Sequence, residues 1–125
     1  MKQIKRTTVD IENNILNVKI AGILTGETAL ELNESIKHDI SKLKPGYHII
    51  TDLTNFRIAN DEAIVVIREL LESLSQNKVG RVIRVVGNSK NAIIQSAGVT
   101  KGIENYNVEY VPTIQDAYKT LNINQ

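Results

Sequence analysis

The 125-residue chain has no cysteine and no tryptophan, only two prolines, and five aromatic side chains of the tyrosine and phenylalanine kind, four and one respectively. Without cysteine there is neither a disulfide framework nor a thiolate metal site, a composition suited to the reducing cytoplasm. Aromatics at 4% leave little for a base-stacking platform. Fifteen basic residues against fourteen acidic ones, a net +1, provide no composition-level attraction for a nucleic acid or an anionic membrane. No apolar run approaches the roughly 20 residues of a membrane span. The opening Met1-Lys2-Gln3-Ile4-Lys5-Arg6 is not followed by the apolar segment of a signal peptide. The expectation is a single cytoplasmic domain over residues 1–125, with no membrane insertion and no nucleic acid partner. Such a domain buries about two thirds of its unfolded surface and needs no staple.

What the chain does have is strong periodicity. Tyr47 to Leu53 is mostly β-branched, aromatic or aliphatic and is opened by Pro45-Gly46, which predicts a strand inside a sheet. Thr54-Asn55 break it, and from Asp61 apolar residues recur at helical spacing through Ala63, Ile64, Ile67, Leu70, Leu71 and Leu74. A strand feeding a helix through a short polar loop puts that loop at the carboxyl edge of the sheet, where α/β proteins bind. Upstream, Thr7–Glu12 and Ile15–Ile20 alternate apolar with polar around Asn13-Asn14, the pattern of a hairpin at a sheet margin. Thr28 with Glu31 fits a capping box for a helix carrying Ala29, Leu32, Ile36, Ile40 and Leu43, ended by Pro45-Gly46.

Val79-Gly80 closes the second helix, and Arg81–Val86 forms a strand stopped by Gly87-Asn88-Ser89. A third helix through Ala92, Ile93, Ile94 and Ala97 closes at Gly98 in a left-handed cap. Val108–Val111 is the last strand, and Thr113 with Asp116 caps a terminal helix bearing Ile114, Ala117, Tyr118 and Leu121. Hairpin, helix, strand, helix, strand, helix, strand, helix implies an α/β fold. Its sheet is mostly parallel, with an N-terminal antiparallel hairpin and about four helices.

No catalytic, cofactor or metal constellation assembles. His38 and His48 lie on different elements with no spaced carboxylate partner. Gly87-Asn88-Ser89-Lys90 opens a helix after a strand but lacks the length and glycine pattern of a P-loop. Asp52 has no acidic pair after the first strand and no lysine after the last, as a receiver domain would need. The outer face of the second helix is more informative. At about 100° per residue, Glu62, Val65, Val66, Glu69 and Ser73 fall opposite the apolar stripe, which predicts two partly exposed valines beside carboxylates. Arg57 and Ile58 extend that surface, and Asp61 and Glu62 favour the positive start of the helix.

The order of elements and the local sequence resemble the STAS domains of bacterial anti-sigma-factor antagonists over nearly the whole chain. The family's strand ending in Asp-Leu-Ser-Gly and its loop Asp-Ser-Ser-Gly are matched, without a gap, by Asp52-Leu53-Thr54-Asn55 and Asn60-Asp61-Glu62-Ala63. Gly87-Asn88-Ser89 continues the match, as does Ala97-Gly98-Val99, similar to the family's Thr-Gly-Leu. The resemblance implies a non-catalytic protein-binding module whose partner is an anti-sigma-factor or kinase-like regulator. It implies a docking surface of Arg57, Ile58, Asp61, Glu62, Val65, Val66 and Glu69, and it leaves a homodimer open. In many members a kinase phosphorylates the second serine of that loop. Here the position holds Glu62, which has no hydroxyl and carries about half the charge of a phosphoserine. The alternative is a small-ligand module that takes an anion or lipid at an edge formed by Thr54, Asn55, Asn88 and Ser89. An enzyme would need two titratable groups converging in a cleft.

Overall fold

A computed structural model describes residues 6–123. Strands β1 (Thr7–Asp10) and β2 (Ile15–Lys19) form the hairpin, and they lead through the three-residue strand β3 (Gly22–Leu24) into helix α1 (Gly26–Ile40). Strand β4 (His48–Asp52), the short strand β5 (Phe56–Ala59) and helix α2 (Asp61–Gln76) make up the central unit. Strand β6 (Val82–Val85), helix α3 (Lys90–Thr100), strand β7 (Val108–Val111) and helix α4 (Ile114–Thr120) follow. The main sheet runs β1-β2-β4-β6-β7. Only β1 and β2 pair antiparallel; the other neighbours are parallel. The fold is therefore the predicted α/β arrangement, a mostly parallel sheet with an antiparallel margin and four helices.

Side-chain alternation along each strand separates two cores. Leu16, Val18, Ile49 and Val82 point to the front, where they meet Leu32 and Ile36 of α1 and Leu70, Leu71 and Leu74 of α2. Ile15, Ile50, Ile83 and Val85 point to the back, where Ala117 of α4 covers them with Ile114, Tyr118 and Leu121 around it. At about 25 cal/mol per Å² of apolar surface, these two interfaces are the main favourable term in folding. The hairpin turns at Asn14 (φ 58°), whose amide donates to the Ile11 carbonyl. Asparagine tolerates this left-handed conformation.

Several boundaries differ from expectation. The capping box of α1 is Thr25 with Thr28, not Thr28 with Glu31. Thr25 Oγ1 accepts from the Thr28 amide at 3.2 Å, and Thr28 Oγ1 accepts from the Thr25 amide at 2.9 Å. The helix thus starts one turn early because an extended Thr25 satisfies an orphan N–H. It ends at Ile40 rather than at Pro45-Gly46, and Leu43 reaches the core from the turn. Helix α2 ends at Gln76, before Val79-Gly80, because Asn77 and a left-handed Lys78 (φ 57°) turn the chain. Helix α3 runs past Gly98 to Thr100, with the left-handed glycine at Gly102 (φ 83°). The strands β3 and β5 were not anticipated. They pair with each other in parallel, Ile23 opposite Ile58, as a separate two-stranded sheet.

Candidate functional site

The loop after β4 is tied down by its own side chains. Asp52 Oδ1 accepts from the Thr54 amide at 3.0 Å and from the Thr54 hydroxyl at 2.7 Å. The Asn55 carbonyl accepts from Gly22, which starts the β3–β5 ribbon. Strand β5 is then fixed to α3. The Arg57 carbonyl accepts from Asn91 Nδ2 and Gln95 Nε2, while the Ala59 amide donates to Gln95 Oε1. Asn60 is the N-cap of α2, its Oδ1 accepting from the Ala63 amide at 2.9 Å.

Asp61 and Glu62 sit exposed in the first turn of α2. Glu62 also leans over the start of α1: a Cβ added to Gly26 would lie 2.8 Å from Glu62 Oε2 and 2.9 Å from Glu62 Cβ. One carboxylate therefore stands beside two helix N-termini, each interaction contributing a few tenths to about 1 kcal/mol. This accounts for an acid at position 62 on structural grounds alone.

Of the predicted surface, Arg57, Ile58, Val65 and Glu69 are exposed. Ile58 and its pairing neighbour Ile23 are 50% and 60% exposed, and Val65 is 57% exposed, too much for scattered core residues. Val66 is different. It is half-buried against Leu24, Ala29 and Ala63, and its carbonyl accepts from Asn33 Nδ2 at 3.1 Å. The seam between α1 and α2 turns it inward, which helical phase along a single helix does not register. Ile67 is half-buried as well.

At the candidate ligand edge, Thr54 and Gly87 are neighbours: a Cβ on Gly87 would sit 3.7 Å from Thr54 Cγ2. Asn55 and Asn88 are exposed. The Ser89 hydroxyl accepts from the Ala92 amide as the α3 N-cap. The Gly87 and Ser89 amides donate to the Pro112 and Val86 carbonyls. The Thr54 and Ser89 hydroxyls of this edge are thus engaged with the protein itself.

His48 uses Nδ1 to accept from the Arg81 amide at 2.9 Å. Burial, aided by the Arg81 charge, holds its pKa below the ordinary value. Among the described residues, no three His, Asp or Glu side chains gather closely enough to hold a metal ion.

The periodicity did not disclose a cavity of about 150 Å³ between the front of the sheet and helices α1 to α3. Leu16, Val18, Ile49, Leu70 and Val99 are among its apolar walls. A polar corner is formed by Thr51, Arg84, Ser96 and Tyr106. One sequence signal pointed to it: Arg84 interrupts the otherwise apolar Val82-Ile83-Arg84-Val85-Val86, and all five are buried.

No family model and no curated protein sequence matches the chain. Solved structures do. An uncharacterised protein of the DUF3478 family with a SpoIIAA-like fold, from Shewanella loihica PV-4, superposes with a TM-score of 0.68 at 14% identity, covering 86% of this chain and 83% of that one. The phosphorylated form of the Bacillus cell fate determinant SpoIIAA gives 0.61 at 9% identity over 92% and 98%. An anti-sigma factor antagonist from Mycobacterium paratuberculosis gives 0.58 at 18% identity over 93% and 92%. The fold is SpoIIAA-like. These alignments cover 86–93% of this chain. At identities this low the likeness fixes the architecture and leaves function to the site. No helix among the described residues is long and apolar enough to cross a membrane.

Proposed function

We propose that this SpoIIAA-like domain is a non-catalytic, cytoplasmic regulatory module that works by binding a protein partner of the anti-sigma-factor or kinase-like type. The docking surface is the outer face of α2 with the neighbouring β3–β5 ribbon. The observation that carries the reading is the set of large apolar side chains left in water there, Ile23, Ile58 and Val65. The exposed charges of Arg57, Asp61, Glu62 and Glu69 stand on the same strand and helix. Apolar residues flanked by polar ones are the usual make-up of a docking patch. A further point supports it: the similar solved structures include proteins named as anti-sigma factor antagonists. Glu62 takes the place of the phosphoacceptor, so the docking surface carries a fixed negative charge rather than a switchable one.

The test is comparative capture from native lysate with the unaltered protein, a Val65→Asp variant and an Ile58→Asp variant. Both substitutions lie at exposed sites, so stability should change by about 0.5 kcal/mol or less. A specific partner should bind at least about tenfold more weakly to each variant, as for a moderate hot spot. A regulator that binds all three proteins equally would remove this surface from the interface.

A further inference from the structure

Arg84 stands out among the buried groups. It is only 5% exposed, and an arginine side chain keeps its charge in any protein environment. A buried charge is costly unless an opposite charge compensates it. Among the described residues, no carboxylate forms an ion pair with Arg84; the ion pairs are Lys42–Asp39, Arg68–Glu72 and Arg81–Glu109. Its partners are all neutral. Nη1 donates to the Ser96 carbonyl at 2.7 Å, to the Tyr110 hydroxyl at 3.3 Å and to Thr100 Oγ1 at 3.4 Å. The guanidinium lies 6.0 Å from the centre of the Tyr110 ring, a modest cation–π contribution. The Tyr106 phenol is a further neutral hydrogen-bonding neighbour of the guanidinium.

Arg84 lines the front-face cavity together with Thr51, its register partner on β4, and Tyr106. Burial pushes the Tyr106 phenol up to about 12, with the neighbouring Arg84 drawing it partly back, so Tyr106 remains a hydrogen-bond donor at neutral pH. Tyr106 also lines a shallow surface groove beside Lys101 and Tyr110, which puts the polar corner next to solvent. Apart from Gln95, Ser96 and the aromatic Phe56, the rest of the cavity wall is aliphatic. An apolar cavity of about this volume accommodates a benzene-sized body.

We propose that this cavity binds a small carboxylic acid whose apolar body is the size of a benzene ring or a short alkyl chain. Its carboxylate is held by Arg84, with the Thr51 and Tyr106 hydroxyls beside it. The carboxylate supplies the missing counter-charge in bidentate geometry, which a guanidinium is shaped to accept. The apolar body fills the space between Val18, Ile49, Leu70 and Val99. This site is separate from the outer face of α2, so it stands or falls independently of the docking surface.

Calorimetric titration of the full chain at pH 7 with benzoate and hexanoate, against benzyl alcohol and hexanol, tests the proposal. Both acids should bind at least about tenfold more tightly than their neutral counterparts, the value of one charge-assisted hydrogen-bonded contact. The amide and methyl NMR signals of Val18, Leu70 and Val99 should shift on binding. Arg84→Met should abolish the preference for the acid while leaving the alcohols' affinity in place. If that variant does not fold, the comparison of acid with alcohol on the unaltered protein decides alone. Absence of binding, an equal affinity for acid and alcohol, or shifts confined to other residues would each overturn the proposal.

Discussion

The same substitution at two glycines should move stability in opposite directions. Neither Gly80 nor Gly98 has a positive φ, so alanine fits the backbone at both, and only the surroundings differ. At Gly80 a Cβ would lie 2.8 Å from His48 Nδ1 and 2.9 Å from the Tyr47 carbonyl oxygen, and it would also crowd the Gly46 carbonyl. None of these can yield easily. The Gly80 amide donates to the Tyr47 oxygen at 2.6 Å, the Gly46 amide donates to Lys78 at 2.8 Å, and His48 Nδ1 is held by the Arg81 amide. Overpacking of this kind costs about 1 to 3 kcal/mol, which outweighs the roughly 0.4 to 1 kcal/mol gained by restricting the unfolded chain. Gly80→Ala should therefore lose about 1 to 2 kcal/mol, or about 3 to 10 °C in Tm for a domain of this size. Gly98 lies inside α3 with no atom near its would-be Cβ. Gly98→Ala should gain about 0.5 to 1 kcal/mol, raising Tm by about 2 to 5 °C. Thermal and urea unfolding by circular dichroism measure both. Midpoints that move in the same direction would refute the close approach at Gly80 or the helical environment of Gly98.

Ile50→Ala, at a site 1% exposed on the back of the sheet, should cost about 2 to 5 kcal/mol, whereas Ile58→Ala should stay within about 0.5 kcal/mol; equal urea midpoints would contradict the assignment of faces. The folded pKa of His48 lies below its ordinary 6.5, so on acidification the unfolded chain takes up the proton first. The stabilising contribution of the neutral ring is complete above 6.5 and is lost as pH falls below it. His48→Asn should flatten that part of the stability profile, as read from urea midpoints between pH 7.5 and 5. Incubated with ATP and a serine kinase of the anti-sigma-factor type, the unaltered protein should show no added phosphate by intact-mass spectrometry, because Glu62 cannot accept one and the Thr54 hydroxyl is turned onto Asp52. Glu62→Ser should gain one phosphate; stoichiometric labelling of the unaltered chain would shift the alignment around position 62.

Elements stabilised locally were legible in the sequence. The Thr113 cap and the strand Val108–Val111 fall where the pattern puts them, as does the asparagine turn of the hairpin. The exposure of Val65 followed from helical phase. Features created by contacts distant in sequence were not legible. Phe56–Ala59 is four residues between turn formers, and it becomes a strand only because Gly22–Leu24 lies beside it and α3 holds its backbone. Val66 looked like Val65 until α1 was packed against it. Thr25 and Thr28 can both cap α1, and only the backbone of Thr25, extended at φ −103° and ψ 168°, decides between them and starts the helix one turn earlier than the pattern suggests. Arg84 is visible as an oddity in an apolar strand, but its lack of a counter-charge is a property of three-dimensional neighbours.

Among the described residues, the one helix against the back of the sheet is α4, seven residues long. Ile15, Ile50, Ile83 and Val85 come from three different strands and, among the described residues, are covered by α4 with Val111, Leu121 and Ile123 beside it. During synthesis, α4 is the last of these elements to leave the ribosome. A nascent chain that has already paired its parallel strands must then carry an apolar stripe bare to solvent until residues 114–121 are made. Parallel pairing is slow and prone to aggregation while incomplete, so the interval before residues 114–121 emerge is the one in which this face is most open to misassembly.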